Sequence, residues 1–258
     1  MSKSNESLGT VARVIALLRL MAESQNDLTL TALSERLGLA PSTCHRLLAL
    51  LIQEGLVGRN ASTKTYYCAA EFVRISSLVL GTSSIADLAE PILQSLAERF
   101  NESSMLCLYL EKQQRYTIAK AVHGTQLLRY DIQENTPLSL AWGASARSIL
   151  AFLPQAEIDD ILSKAGPSQV SGEPIDRATY ADLALTRQRG YALTPGQRVA
   201  GSIGLGAPFF GANGKVAGSI CLTIPENRFD PAQEPVLGQA LIEHAAKLSH
   251  TLGYVARG

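Results

Sequence analysis

One helix-forming segment carries the residues best suited to chemistry. Between Pro41 and Gly55, apolar residues recur at helical spacing, and at about 100° per residue the polar side chains collect on the opposite arc. The apolar arc consists of Cys44, Leu47, Leu48, Leu51 and Ile52, and the polar arc of Ser42, Thr43, His45, Arg46, Ala49 and Gln53. Because base edges in the major groove of DNA present hydrogen-bond donors and acceptors, a narrow polar face of this kind predicts a helix that reads DNA.

Two helical segments precede this one and would position it. Residues 11–24 form an amphipathic pattern, and residues 29–38 form a shorter one behind a Thr29 or Thr31 cap. Gly38 is suited to ending the shorter helix, and Pro41 is suited to the first position of the next one. Two helices joined by a short turn that contains glycine predict a helix-turn-helix.

A β-hairpin is predicted directly after the reading helix. Residues 56–60 and 61–69 are short β-prone runs around a Ser/Thr/Lys turn, which is the expected place for a wing. Its polar and aromatic side chains, Thr65 among them, are predicted to face phosphates, which position a protein on DNA. The predicted DNA-contacting set is Thr31, Ser42, Thr43, His45, Arg46, Gln53, Arg59, Lys64 and Tyr66.

A second set of residues predicts a small-molecule site. The run GSIGLGAPFF at 201–210 alternates small and apolar residues and leaves backbone amides accessible. Cys221 and Thr223 share one face of a predicted strand, and Ser145 lies near a helix start, which favours an anion. With Trp142 nearby, these groups suit a small organic acid, including an aromatic one. The alternative is structural: helix-capping or sheet hydroxyls, an apolar filler thiol and a core tryptophan.

The rest of the chain predicts a second, α+β domain. Helical patterns from Ile75 to Leu80 and from Ile85 onward are interrupted at Gly81 and Pro91. Strands are predicted over residues 105–111, 115–122, 127–132, 202–210 and 215–224, and helices over 144–153, 178–189 and 231–253. Successive strand pairs favour an antiparallel sheet. The predicted organisation is multidomain, α plus α/β in class: a winged helix-turn-helix over 1–72, a linker helix over 73–84 and an effector domain over 85–258.

Composition narrows the class of protein. The chain has 258 residues, 46% hydrophobic, with a formal net charge of zero, so the whole chain is no polycation. Its first 75 residues hold eight Lys/Arg against six Asp/Glu, which permits DNA binding without proving it. No run reaches the about 20 apolar residues of a membrane helix and no signal peptide is visible, so we expect a cytoplasmic protein without membrane contact. The four cysteines form no C-x-x-C pair, so neither a metal, a disulfide nor a cofactor is predicted.

Several segments together resemble the IclR family of bacterial regulators. They are LTLTALSERLGLAPSTCHRLLALLIQEGLVGR, PLSLAWGASARSILAFLP, RQRGYALTPGQRVAGSIGLGAPFF and VAGSICLTIP, and the resemblance runs from about Leu8 to Gly253. It implies a PAS/GAF-like effector domain, homodimers or homotetramers, and binding to pseudopalindromic operator DNA. We therefore predict a regulator, not an enzyme, that controls a catabolic operon in response to a small-molecule effector.

The resemblance also implies where the effector binds. The family's pocket positions fall on Ala144, Ser145, Thr194, Gly204, Cys221 and Thr223, to which we add Trp142 and Leu205. The chain departs from the family where Thr194 stands in place of a common acidic residue, and where Pro195, Gly196 and Gln197 replace an acidic run.

Two other functions remain open at this stage. Cys221 could be the nucleophile of an enzyme, with His123, His244 or His250 as its base, although no G-x-S-x-G, metal cluster or phosphate loop occurs in the sequence. Alternatively, the second domain could only oligomerise a DNA-binding protein without any ligand.

Overall fold

The computed structural model describes residues 9–24, 27–82, 84–127, 129–130 and 133–256, with side chains 79–82 left out. The chain divides into two compact units, and the boundary falls between Ser84 and Ile85. Each unit has its own hydrophobic core and is described separately.

The first unit is a small helical domain with a short sheet. Its elements are α1 (Thr10–Glu23), β1 (Leu28–Thr29), α2 (Leu30–Leu37), α3 (Pro41–Gln53), β2 (Val57–Arg59), β3 (Thr65–Cys68) and α4 (Ala70–Thr82). The sheet is antiparallel with the order β1-β3-β2, so a third strand that the sequence did not predict extends the predicted hairpin. The winged helix-turn-helix is confirmed.

The core of the first unit explains why three short helices hold together. Leu17 of α1, Leu33 of α2 and Leu48 of α3 are fully buried against one another and against Val57 of the wing. Each helix contributes one apolar stripe at three- and four-residue steps, and their opposite faces remain in solvent.

The second unit is built on one large sheet. Its helices are α5 (Ile85–Phe100), α6 (Ala144–Leu150), α7 (Gln155–Ser163), α8 (Arg177–Arg189) and α9 (Glu234–Thr251). Its strands are β4 (Ser103–Leu110), β5 (Arg115–Val122), β6 (Leu138–Ser139), β7 (Ala192–Pro195), β8 (Ser202–Phe210) and β9 (Val216–Pro225). They form a six-stranded antiparallel sheet in the order β6-β5-β4-β9-β8-β7, which confirms the α+β architecture.

Alternation along the strands separates two layers of core. Leu205 and Leu222 point to one face, where α5 and α9 pack. Cys107 and Cys221 point to the other face, where α6 packs together with side chains of α7 and α8. Every strand of the sheet's centre is therefore covered on both sides.

Several sequence predictions are corrected here. α5 is continuous through Pro91, because the lost hydrogen bond is offset by burial of Ala89, Leu93 and Leu96. α4 runs through Gly81 to Thr82. β7 and α7 were not predicted, and the strand predicted over 127–132 includes Leu128, Asp131 and Ile132, which lie outside the described residues.

Candidate nucleic-acid interface and ligand site

The start of α3 is set by local backbone chemistry. The Thr29 hydroxyl accepts the Ala32 N–H at 3.3 Å and caps α2, as one of the two predicted caps. Gly38 ends α2 in the left-handed conformation at φ 63°, and Pro41 takes the first turn of α3. The turn between the helices therefore has the predicted chemistry.

α3 presents a polar face to solvent. Cys44, Leu47, Leu48 and Leu51 are buried beneath it. We call Ser42, Thr43, His45, Arg46 and Gln53 the reading face: Thr43 is half-buried and the other four are exposed. Arg46 takes part in no ion pair of the described residues, so its guanidinium is available to DNA.

Two neighbours of the reading face refine its outline. Ile52, predicted on the apolar arc, is 39% exposed, because it lies at the edge of that arc and only the arc's centre meets the core. Thr31 is exposed in the first turn of α2, where a phosphate contact remains open to it.

A side-chain oxygen stabilises the tight turn of the wing. Asn60 Oδ1 accepts the N–H groups of Ser62 and Thr63, at 3.0 and 3.3 Å. Lys64 then takes a left-handed backbone conformation at φ 57°. Arg59 and Lys64 are both exposed, which places two cations at this hairpin, as phosphate contacts require.

Tyr66 does not belong to this exposed surface. Strand alternation in β3 points Tyr66 into the core, where it is 4% exposed, and points Tyr67 outward, where it is 43% exposed. The Tyr67 ring lies where a side chain on Gly58 would stand, 2.3 Å from that Cβ position. The predicted phosphate contact of Tyr66 is therefore wrong, because alternate residues of the strand face opposite sides and the prediction chose the wrong one of two neighbours.

The predicted ligand residues meet on the sheet face beneath α6. Thr194, Gly204, Thr223 and Ser103 lie in register across β7, β8, β9 and β4. Cys221 lies one step further along β9 on the same face. We call Ser103, Thr194, Gly204, Cys221 and Thr223 the ligand face.

Two glycines let α6 approach this face. A Cβ on Gly204 would stand 3.2 Å from Ala144 Cβ. A Cβ on Gly206 would stand 2.9 Å from Ala144 O, Cys221 Sγ and Ser148 Oγ. No larger side chain fits at Gly206 without moving the helix, so the glycines serve the close packing of helix on sheet.

Hydrogen bonds fasten α6 to the sheet. The carbonyl oxygen of Ser145 accepts from Ser148 Oγ at 3.1 Å and from Ser219 Oγ at 3.0 Å. Ser219 Oγ also lies 3.3 Å from Cys221 Sγ. A hydrogen bond with Cys221, followed by burial, raises the pKa of the neighbouring Cys107 thiol. Ser145 and Cys221 thus share one buried polar cluster above the ligand face.

Leu205 lies outside the ligand face, and Trp142 makes structural contacts of its own. Leu205 is fully buried on the opposite sheet face with α5 and α9, because its neighbour Gly204 takes the ligand face. Trp142 Nε1 donates to Gly166 O at 3.1 Å, and the Arg147 guanidinium carbon lies 5.6 Å from its ring centre. The tryptophan is 9% exposed and holds two loops together. Leu205 is therefore no part of this site.

Ser103 was missed by the sequence prediction, and His123, which was considered only as the base of an enzyme, lies beside it. Ser103 Oγ lies 2.9 Å from His123 Nδ1, and Ser103 pairs directly with Thr223. The alternation of β4 could have indicated Ser103, because every second residue of a strand lies on the same face and Ser103 therefore shares a face with Cys107. Without the order of the strands, nothing connected residues 103 and 123 to residue 223.

Two of the three histidines considered for an enzyme lie away from Cys221. His244 Nδ1 lies 2.7 Å from Ala240 O and Nε2 lies 3.3 Å from Ser95 Oγ, on the α5 and α9 side of the sheet. His250 lines a shallow surface groove along α9. Cys221 itself is in contact with Ser219 and Cys107.

The described residues offer neither a metal site nor a membrane span. They hold no group of three His, Cys, Asp or Glu side chains able to bind a metal ion. None of the described helices has the length and apolar character needed to cross a bilayer.

Comparisons with known proteins identify the family of both domains. Residues 10–61 match the IclR helix-turn-helix domain, and residues 77–250 match the C-terminal domain of bacterial IclR transcriptional regulators. The chain is 28% identical to the HTH-type transcriptional regulator KipR of Bacillus subtilis, over 95% of this chain and 97% of KipR. It is 25% identical to the transcriptional repressor IclR of Escherichia coli, over 95% and 89% of the two chains.

Solved structures share the fold. The repressor BlcR of Agobacterium tumefaciens superposes with a TM-score of 0.75 at 23% identity, covering 96% of this chain and 98% of BlcR. An IclR homolog from Microbacterium hydrocarbonoxydans, solved in complex with 4-hydroxybenzoate, superposes with a TM-score of 0.58 at 20% identity, covering 95% and 99%.

Proposed function

The chain belongs to the IclR family of bacterial transcriptional regulators, which bind operator DNA and small-molecule effectors, and we propose that its own effector is a small organic acid. The regulated genes form a catabolic operon in this proposal. The observation that carries it is the ligand face, where hydroxyl groups from three strands converge beneath α6.

The proposed DNA contacts are the reading face, Thr31 and the two wing cations. Arg46 and His45 lie in the first turns of α3, which is the part of a recognition helix that meets base edges. Arg59 and Lys64 supply phosphate contacts, which add affinity without sequence information.

Binding of the DNA upstream of the protein's own gene tests this part. Fluorescence anisotropy at stated salt concentrations compares the wild-type protein with Arg46→Ala and with Arg177→Ala, which removes an exposed cation outside the first unit. Arg46→Ala should cost about 1–3 kcal/mol on the specific duplex and less on a scrambled one, while Arg177→Ala should change neither. Equal losses on both duplexes would make Arg46 a phosphate contact, and no loss would remove it from the interface.

The proposed ligand contacts are those predicted from the sequence without Leu205, and we add Ser103 and His123: Trp142, Ala144, Ser145, Thr194, Gly204, Cys221, Thr223, Ser103 and His123. Thr194 is 4% exposed and its Oγ1 lies 3.5 Å from the position of a Cβ on Gly204. Small hydroxyl groups from three neighbouring strands suit the oxygens of a small acid. The 4-hydroxybenzoate bound to the Microbacterium protein supports aromatic acids as probes.

Calorimetry with acetate, succinate, benzoate and 4-hydroxybenzoate tests the ligand part. We expect one of these acids to bind and to change the affinity for the upstream DNA. Thr194→Val should weaken that binding, whereas Thr251→Val, an exposed position on α9, should not. Failure of every acid to bind would contradict the organic-acid proposal.

We also propose the domain limits 1–72, 73–84 and 85–258 and a homodimer or homotetramer. Val73, Ile75 and Leu78 of α4 are exposed apolar side chains that a second copy would cover. Light scattering on the full chain should give two or four copies, and a monomer at micromolar concentration would contradict this assembly.

A further inference from the structure

The hydroxyl of Tyr116 is buried without a hydrogen-bond partner among the described residues. Tyr116 lies on β5 between Tyr109 of β4 and Leu138 of β6, and its side chain is 0% exposed. Its oxygen makes no hydrogen bond of acceptable geometry. Because burying such a group without a partner is unfavourable, an unsatisfied tyrosine hydroxyl calls for a missing partner.

The surroundings of this hydroxyl place it at the ligand site. Burial raises the pKa of Tyr116, the Arg198 charge opposes this rise, and the thiols of Cys107 and Cys221 add to it. The Ser145 side chain approaches the same oxygen without completing a hydrogen bond. The tyrosine is therefore a neutral donor near pH 7, and it reaches the polar cluster above the ligand face.

A cation lies over the same ring. The Arg198 guanidinium carbon is 5.6 Å from the ring centre of Tyr116, and the arginine belongs to the segment between β7 and β8. Arg198 is exposed and forms no ion pair with the described residues. Its charge is thus uncompensated, next to a hydroxyl donor that lacks an acceptor.

The segment that carries Arg198 is fastened in place by its neighbour Gln197. Gln197 Oε1 accepts the Gly143 N–H at 3.3 Å, and Gln197 Nε2 donates to Glu173 Oε2 at 2.7 Å. The Gln197 carbonyl accepts from Ser168 Oγ at 2.8 Å. These three bonds hold the side chain and the carbonyl of Gln197, and so they fix the place in the fold from which Arg198 extends.

We propose that Tyr116 and Arg198 together bind the carboxylate of the effector. Tyr116 donates a hydrogen bond from inside the site, and Arg198 contributes the positive charge at its edge. A carboxylate suits both side chains, because it accepts a hydrogen bond from the Tyr116 hydroxyl and neutralises the charge of the Arg198 guanidinium. This inference rests on the proposed organic-acid function and names the residues that select the acid over a neutral analogue.

The pair of Tyr116 and Arg198 also fits the departure from the family pattern at Thr194, where an acidic residue is common. An effector anion needs positive charge or donors, and the uncharged Thr194, Pro195, Gly196 and Gln197 add no acidic group that would repel it. Arg198 follows directly after this uncharged stretch, so the acid and its cation can meet without a competing carboxylate from these positions.

Calorimetry on the full chain tests the pair with benzoate against benzamide, or with succinate against succinamide where succinate is the acid that binds. The wild-type protein should prefer the acid over its amide at least tenfold. Arg198→Gln should abolish this preference, and Tyr116→Phe should weaken binding of the acid about tenfold. Matched controls on α8, Arg177→Gln and Tyr180→Phe, should behave as wild type.

Thermal unfolding without ligand separates recognition from stability. Tyr116→Phe removes an unpartnered buried hydroxyl, so its melting temperature should stay equal or rise while acid affinity falls. A tyrosine with a structural hydrogen bond would instead lower the melting temperature. Arg198→Gln changes an exposed side chain, so its acid preference is measurable whatever Tyr116→Phe does to folding.

The outcomes distinguish this inference from the function on which it rests. When no acid of the panel binds the wild-type protein, the organic-acid proposal and the inference both fail. When an acid binds and Arg198→Gln keeps the preference of the wild type over the amide, the carboxylate anchor is overturned and the organic-acid function stands.

Discussion

The reading face and the ligand face differ in how they are assembled. All five members of the reading face lie within Ser42–Gln53 on one helix, and all but the half-buried Thr43 are exposed to solvent. The ligand face takes its members from four strands between Ser103 and Thr223 and lies under a helix. A surface made by one helix needs only the helical period, whereas a buried face needs the register of a whole sheet.

The difference extends to what each residue contributes to stability. The four exposed side chains of the reading face have no packing role, so their substitution should affect DNA binding alone. Residues of the ligand face also close the space between α6 and the sheet, so function and stability are coupled there. Four predictions probe this contrast, from the largest expected effect to the smallest.

The two faces of α3 should differ most. Leu48→Ala removes a fully buried side chain from the first core and should lower the free energy of unfolding by about 3 kcal/mol. Leu50→Ala, at a 52% exposed position two residues away, should cost less than about 0.5 kcal/mol. Urea unfolding of the full chain measures both, and equal losses would show that α3 packs on both faces.

The glycine of β8 should be the most sensitive backbone position at the ligand site. Gly206→Ala forces a Cβ to 2.9 Å from Ala144 O and should cost about 2 kcal/mol of unfolding free energy. Gly166→Ala serves as the control, because nothing lies within 4 Å of its Cβ position. A Gly206→Ala protein as stable as the control would mean that α6 does not approach the sheet this closely.

A serine of the polar cluster beneath α6 and a serine of the reading face test whether stability and function are coupled. Ser219→Ala removes a buried hydroxyl that donates to the Ser145 carbonyl at 3.0 Å, and it should cost about 1 kcal/mol of unfolding free energy. Ser42→Ala should leave stability unchanged and weaken only DNA binding. Thermal unfolding and anisotropy, measured on both variants, check the assignment, and a destabilised Ser42→Ala would assign the reading face a structural role.

The smallest effect concerns two exposed ion pairs, one in each unit. Arg74 lowers the pKa of Glu71, mainly through a hydrogen bond, below its ordinary value of 4.5, and Lys164 lowers the pKa of Asp160 in the same way. Because the folded pKa is depressed, the slight stabilisation is present above the unfolded pKa and disappears as pH falls through the folded one. Unfolding of Glu71→Gln between pH 6 and pH 3 should show a slightly flatter pH dependence than wild type, and a steeper one would contradict the pairing.

Much of the fold followed from local patterns. The helical period over residues 11–24, the Gly38 turn and Pro41 predicted the helix-turn-helix because capping and turn chemistry act over a few residues. The strands at β4, β5, β8 and β9 were predicted from their apolar runs. Pro91 misled the prediction because tertiary burial outweighed the missing backbone hydrogen bond.

The errors at both sites concerned which face of a strand a residue lies on. Tyr66 and Tyr67 are equally β-prone, and only the wing's packing decides which of them is buried. Gly204 and Leu205 were both assigned to the ligand, but a strand presents them to opposite faces. A shift of one residue reverses such an assignment, and the sequence has no local signal that resolves it.

The sequence by itself determined that this chain carries a DNA-reading helix, because the polar arc of Ser42, His45, Arg46 and Gln53 depends on helical geometry alone. It also identified the family, and it predicted a set of ligand positions. Only the tertiary structure placed Tyr116 and Arg198, 82 positions apart, against one another. Strand order and the path of the β7–β8 segment decide that contact, and both follow from how the whole domain buries its apolar surface.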